Sequence, residues 1–240
     1  VNRIISQVPS YTQGIERQMF MGELIEKNSP EDKAVVRAFV DSILSYMFTN
    51  NASDIDMGGH GSQGQIWYRI HGTKKPDSIF GTFTFDETNA IILSLLTARQ
   101  RQILYEVKNI DFSHTITKDE SSFRFRADAY LDLDILALNM RAINQSIRNY
   151  KTFEFHPNVT RTISLAATKE GLVLITGITG SGKSSTLDAI IDVNNQVVSG
   201  HIVIIASPIE YVHKSVKCIV RHREVGRDVL SFKDGAIQAL

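Results

Sequence analysis

The chain has 240 residues, of which 42% are hydrophobic and 22% are charged, and its formal net charge is zero. This composition is ordinary for a globular protein, and the balanced charge gives no global attraction to nucleic acid or to an anionic membrane. The longest strongly apolar run, residues 171–175, is far too short to span a bilayer, and the single cysteine, Cys218, cannot form an internal disulfide, which suits a reducing cytoplasm.

The first third of the chain begins with a polar, weakly patterned segment, residues 1–28, which predicts a flexible arm or a short helix. A serine at position 29, followed by a proline and an acid, is typical of a helix start. Apolar residues then recur at helical spacing over residues 35–47. The helix is expected to end near Asn50.

Strand patterns and one long helical pattern follow. The predicted strands are residues 53–57, 65–71, 111–116, 122–130 and 135–143. Residues 86–107 are predicted to be helical, with Asp86 as the cap. Two helices against such a sheet predict a small α+β domain over residues 29–150.

The character of the sequence changes near residue 150. Residues 151–162 are predicted to be a linker, and residues 163–240 a second domain that begins with a short helix. Apolar runs at residues 172–176 and 201–206 predict strands buried on both faces, as in a parallel sheet, with a helix over residues 183–194 between them. This is the opening βαβ unit of an α/β domain.

Residues 177–184, Gly-Ile-Thr-Gly-Ser-Gly-Lys-Ser, match a phosphate-binding loop at every fixed position. Glycines let several backbone N–H groups converge on phosphate oxygens, and the following helix N-terminus favours an anion. Lys183 is expected to reach the β- and γ-phosphates of ATP, and the hydroxyl of Ser184 to ligate Mg²⁺. The predicted nucleotide contacts are Gly177, Thr179, Gly180, Ser181, Gly182, Lys183, Ser184 and Ser185.

Several segments carry a family resemblance. They are the loop context at residues 171–187, an "Asp box" at 201–213, the stretch 223–232, and residues 52–55 and 69–72. Together they resemble the type IV pilus retraction ATPases of the type II/IV secretion motor family, over roughly residues 34–240. The stretch 223–232 is characteristic of the retraction branch.

This resemblance implies a fold and an assembly. A PAS-like N-terminal domain is expected to precede a RecA-like ATPase domain. Members of the family form hexameric rings, with ATP between domains and neighbouring subunits, and hydrolysis turns a membrane platform protein. The expected partners are therefore further copies of this chain and the platform of a pilus or secretion machine at the cytoplasmic face of the inner membrane, with no nucleic acid.

Arginines supply further candidates. In residues 123–130, Phe123, Phe125, Ala127 and Ala129 are predicted to pack inward, which places Arg124 and Arg126 on the outer face of a strand. Arg141 matches another arginine of the family. The resemblance implies that such arginines reach the nucleotide and offset charge on the γ-phosphoryl group as it leaves.

The Asp box departs from the family pattern. Its usual Glu-Asp pair is replaced by Ala206 and Ser207, and Glu210 is the acid that remains as a catalytic candidate. Two functions therefore stay open, a motor ATPase and a non-hydrolysing nucleotide-binding subunit of a mixed ring. A RecA-like DNA translocase is a third, less favoured because there is no basic surplus.

The family's later acidic strand and His box have no counterpart before Leu240. The RecA-like domain is therefore expected to be incomplete in this sequence and to continue in the intact protein.

Overall fold

The computed structural model describes residues 1–118, 121–143, 147–178 and 181–240. The chain forms two compact units, Val1–Ile143 and Asn144–Leu240. No described helix combines the length and the hydropathy that a bilayer-spanning segment requires.

The first unit packs helices on one face of an antiparallel sheet. Its helices are α1 (Asn2–Ile5), α2 (Gly14–Lys27), α3 (Pro30–Thr49), α4 (Phe85–Leu95) and α5 (Ala98–Val107). Its strands are β1 (Ala52–Gly58), β2 (Ile66–Ile70), β3 (Thr73–Asp77), β4 (Asn109–Lys118), β5 (Ser121–Asp132) and β6 (Ile135–Ala142). The strand order is β3-β2-β1-β6-β5-β4.

Alternation along β5 decides which face is buried. Phe125, Ala127 and Ala129 are fully buried in the core, as predicted, and Phe123 is half-buried against it. The neighbouring strands β1 and β6 alternate in the same register, so their polar residues share the outer face with those of β5. This face carries the candidate arginines.

Helix capping explains where the helices begin. Ser29 caps α3 as predicted, since its side chain accepts a hydrogen bond from the Asp32 backbone N–H at 3.2 Å. The prediction of one helix over residues 86–107 with Asp86 as the cap is wrong. Thr84 caps α4 through a capping box, and Thr97 begins a second helix, α5, with another.

The N-terminal residues belong to the same core. The side chains of Met21 and Ile25 on α2 are buried, and Gln18 donates a hydrogen bond to the Asp134 backbone oxygen at 2.6 Å. Arg17 forms an ion pair with Asp86 at 2.6 Å. The polar side chains of residues 1–28 thus include ones that bind the rest of the unit from a packed helix, and the segment is not a flexible arm.

The second unit is smaller. It contains a 3₁₀ turn (Tyr150–Phe153), α6 (Pro157–Ile163), α7 (Lys183–Val197), β7 (Gly200–Ala206), β8 (Cys218–Glu224) and α8 (Phe232–Ala239). The strands β7 and β8 are parallel, with Gly200 opposite Cys218 and Ala206 opposite Glu224. The predicted short helix lies earlier than expected, because Pro157 starts it inside the proposed linker.

The predicted buried strand over residues 172–176 is not formed. Leu172 is 83% exposed and Leu174 is 75% exposed. Among the described residues no strand pairs with this segment, and a strand needs a hydrogen-bonded neighbour. An apolar cavity of about 470 Å³, lined by residues that include Leu172, Ile190 and Ile202, lies between the segment, α7 and β7.

Candidate nucleotide-binding site

The phosphate loop joins this irregular segment to α7. Gly182 is the N-cap of α7 with φ +89°, a backbone conformation that favours glycine. A Cβ at Gly177 would lie 2.6 Å from the Oγ of Ser181, so a side chain there would force the Ser181 hydroxyl to move. Thr179 and Gly180, two predicted nucleotide contacts, lie outside the described residues.

The N-terminus of α7 provides donors for an anion. The first helical hydrogen bond runs from the Thr186 N–H to the Gly182 carbonyl at 2.8 Å, and the N–H groups before it have no acceptor within the helix. Ser184 is exposed and Ser185 is half-buried in this first turn. The helix end therefore offers backbone N–H groups, two hydroxyls and a positive dipole end to phosphate.

Lys183 is folded back onto the loop. Its ammonium group donates hydrogen bonds to the backbone oxygens of Gly177 at 2.9 Å and Ile178 at 2.8 Å. These carbonyl oxygens are the acceptors that phosphate oxygens would replace. The structure thus brings the lysine and the start of the loop together.

The Asp box begins within β7 and continues past its end, at the carboxyl edge of the parallel pair. Glu210 is exposed, whereas Ile209 is buried and donates its N–H to the carboxylate of Glu224 at 3.1 Å. Glu224 ends β8 directly opposite Ala206. No hydrogen bond or ion pair joins Glu210 to Lys183 in the part of the chain that the structure describes, so these two candidates make no direct polar contact.

A buried histidine ties the Asp box to α7. The Nε2 of His213 lies 3.1 Å from the Oδ1 of Asp188 on α7, and the His213 N–H donates to the Nε2 of His222 at 3.0 Å. Sequence reasoning did not single out Asp188 or Glu224. Their partners lie 25 and 15 residues away along the chain, and that spacing gives no sign of the contacts.

The candidate arginines lie on the outer face of the sheet in the first unit. Arg126 on β5 and Arg141 on β6 are directly opposite each other across the strands. Arg126 forms a two-bond ion pair with Asp111 at 3.2 and 3.3 Å. Arg124, also on β5, is half-buried. The predicted outward placement of Arg126 is confirmed.

A buried acid, Asp54 on β1, holds Arg141. The Nε of Arg141 donates to its Oδ1 at 2.6 Å, and the Nε of Arg69 lies 3.2 Å from its Oδ2. Burial alone would raise the pKa of Asp54, but the hydrogen bonds from Ser53 and Arg141 and the charges of Arg141 and Arg69 outweigh it, so the pKa lies below its usual value. Asp54 and Arg69 were not among the sequence candidates.

Comparison with known proteins identifies relatives. The type IV pilus ATPase PilU of Pseudomonas aeruginosa is 34% identical over 148 residues, which cover 62% of this chain and 37% of that protein. The type IV pilus retraction ATPase PilT of the same organism is 34% identical over 154 residues, which cover 64% of this chain and 43% of that protein. This chain therefore spans less than half the length of either relative.

The structure agrees with these matches. The crystal structure of the pilus retraction motor PilT with bound ADP superposes with a TM-score of 0.69 at 35% identity, over 84% of this chain and 56% of that one. The predicted α/β fold of the PilT-like ATPases is thereby confirmed. The family model for type II/IV secretion system proteins matches residues 29–231, and the chain therefore belongs to the type II/IV secretion system protein family.

Proposed function

We propose that this chain is the nucleotide-binding part of a ring-forming motor ATPase, which couples MgATP hydrolysis to mechanical work on a pilus or a secretion machine. The observation that carries the proposal is the loop at residues 177–184, where Gly182 turns the backbone into α7 and Lys183 stands at its first position. The ADP bound to the PilT relative supports a nucleotide as the ligand.

In this proposal, nucleotide binding uses Lys183 and the start of α7. Phosphate oxygens replace the backbone oxygens of Gly177 and Ile178 as acceptors for Lys183, and the first N–H groups of α7 donate to the phosphates. The exposed hydroxyl of Ser184 suits Mg²⁺, which usually takes few protein ligands, substrate phosphates and several waters. Bound Mg²⁺ supplies positive charge to the phosphate oxygens.

Hydrolysis also requires a group that orients the attacking water. Glu210, exposed just after β7, is the residue to which we assign this role. Ala206 has no polar side chain and Ser207 offers only a hydroxyl where the family pattern has acids. These two residues favour the second candidate function, a nucleotide-binding subunit that does not hydrolyse ATP.

The proposal assigns charge stabilisation to Arg124, Arg126 and Arg141, since a guanidinium offsets the charge that develops on a transferred γ-phosphoryl group. A homo-hexamer allows a neighbouring copy to supply them. The partner that receives the work is a membrane platform protein, which places the ring at the cytoplasmic face of the inner membrane.

Phosphate release by the full-length assembled protein tests the proposal, with Lys183→Ala as the control. A motor releases phosphate faster than this variant does. Equal rates, with ADP binding retained by the unmodified protein, would support the non-hydrolysing subunit. Absence of nucleotide binding by the folded protein would overturn both candidates.

A further inference from the structure

Asp54 lies at the centre of a row of charged side chains that crosses the outer face of the first unit's sheet. In the strand ladders it stands opposite Arg69 on one side and opposite Arg141 on the other. Its side chain is only 4% exposed, and the Ser53 hydroxyl donates to its Oδ2 at 2.7 Å. Burial and the hydrogen bond from Ser53 therefore hold the carboxylate in position independently of the two arginines.

The two arginines use this carboxylate differently. Arg69 also donates to the Gly72 backbone oxygen at 3.1 Å, so it is tied to the turn between β2 and β3. Arg141 binds Asp54 through Nε at 2.6 Å, and its side chain stays 67% exposed. Of the contacts that the structure describes, none engages its terminal Nη atoms. Asp54 thus orients Arg141 while leaving its far end available.

Arg126 completes the arrangement. It lies directly across from Arg141, and two adjacent guanidinium groups repel each other. Asp54 holds Arg141 from the β1 side, whereas Asp111 holds Arg126 from the β4 side. Each arginine thus has its own acid, so the pair can share one face of the sheet.

We propose that Asp54 is a positioning residue, which fixes Arg141 beside Arg126 so that the pair presents guanidinium groups to the terminal phosphoryl group of a nucleotide. This inference rests on the proposed role of these arginines. It adds that the preference for a triphosphate over a diphosphate depends on a buried acid that does not itself contact the nucleotide.

The test is a comparison of affinities for AMP-PNP and ADP, each with Mg²⁺, by calorimetry on the full-length assembled protein. Arg141→Ala is expected to lower the AMP-PNP preference about tenfold, as the loss of one charge-assisted hydrogen bond does. Asp54→Asn is expected to lower it to a similar extent. In the double variant, Asp54→Asn should cause no further loss, because its effect passes through Arg141.

Asp56→Asn is the matched control. Asp56 lies two residues along the same face of β1 and contacts Lys74 and Asn139 rather than an arginine, so the preference should stay at the unmodified value. If Asp54→Asn does not fold, Asp54→Glu keeps the charge but displaces the carboxylate, and it should lower the preference in the same direction.

Three results would overturn the inference. The first is an unchanged preference for AMP-PNP in the folded Asp54 variant, and the second is a loss of preference that adds in full to that of Arg141→Ala. An unchanged preference in Arg141→Ala also overturns it, since no phosphate contact is then left to position. The proposed function is judged separately, by phosphate release and by the weakening of ADP binding in Lys183→Ala.

Discussion

The ammonium group of Lys183 lies 2.8 Å from the backbone oxygen of Ile178, within the loop that it is proposed to complete around a phosphate. A second bond, to Gly177, holds it in the same place. When a nucleotide binds, Lys183 therefore exchanges two neutral acceptors, the backbone oxygens, for charged phosphate oxygens. Hydrogen bonds between charged groups are stronger than those to neutral carbonyls, so the exchange favours binding.

Lys183→Ala is the first prediction. Removing the ammonium group should weaken ADP binding in the presence of Mg²⁺ by about 10- to 100-fold, the cost of one or two charge-assisted hydrogen bonds. Because the two loop contacts are exposed, the melting temperature should change little. Calorimetry and a thermal melt measure the two effects.

Lys169→Ala is the control for this prediction. Lys169 also donates to a backbone oxygen at an exposed site, that of Leu165 at 3.0 Å, but it lies outside the loop. Its removal should leave ADP binding unchanged. Equal affinities for the two variants would contradict the role given to Lys183.

Gly182→Ala is the second prediction. At φ +89° a Cβ adds strain of about 1–2 kcal/mol, so the variant should lower the free energy of unfolding of the second unit and weaken ADP binding together. Gly200→Ala, at a position where the nearest atom to a new Cβ is 4.0 Å away, serves as the control. Denaturant titration measures the free energy of unfolding. A value for Gly182→Ala equal to that of the unmodified protein would contradict the prediction, because the loop would then accept the Cβ without strain.

Local patterns predicted part of this fold well. The alternation in residues 123–130 predicted which side chains of β5 enter the core, because strand geometry alone determines it. The cap at Ser29 was likewise predictable, since its hydrogen bond joins residues three apart in sequence. The start of α7 at Lys183 belongs to the same class, because the pattern that predicts it is contiguous.

Features that depend on distant partners were not predictable. The apolar run at residues 172–176 predicts a buried strand, yet hydrogen-bonded pairing decides whether a strand forms, and no described strand pairs with this segment. The contact of Asp54 with Arg141 joins residues 87 apart in sequence. The contact between Ile209 and Glu224 depends on the register of two parallel strands. No spacing rule connects such pairs.

The stability of the first unit should depend on pH through His114, which is the third prediction. Burial lowers the pKa of His114, and a nearby Arg37 adds to this, although the hydrogen bond and charge of Asp41 oppose the shift. The folded state then disfavours protonation. As pH falls below the unfolded pKa of about 6.5, the unfolded state binds more protons, so stability is lost at up to about 1.4 kcal/mol per pH unit.

Trp67, the sole tryptophan of the chain, lies in β2 and reports on unfolding of this unit. Its fluorescence in urea titrations between pH 7.5 and 5 should show the loss. His114→Gln should flatten the pH dependence in that window, whereas His71→Gln, at an exposed turn, should not. An unchanged slope in His114→Gln would assign the pH dependence to another group.

The fourth prediction separates two acids near the end of β7. Glu210 is exposed, so Glu210→Gln should leave the free energy of unfolding unchanged and, in a hydrolysing protein, lower turnover by about 10²-fold or more. Glu224 is buried and accepts the Ile209 N–H at 3.1 Å. Glu224→Gln replaces a charged acceptor by a neutral one and should lower the free energy of unfolding by about 1–2 kcal/mol.

The test compares the two variants. Glu210→Gln should lose more turnover than Glu224→Gln, and Glu224→Gln should lose more stability than Glu210→Gln. Turnover that survives in Glu210→Gln, measured on the full-length assembly above the Lys183→Ala background, would remove Glu210 from the catalytic role and show that another group orients the water.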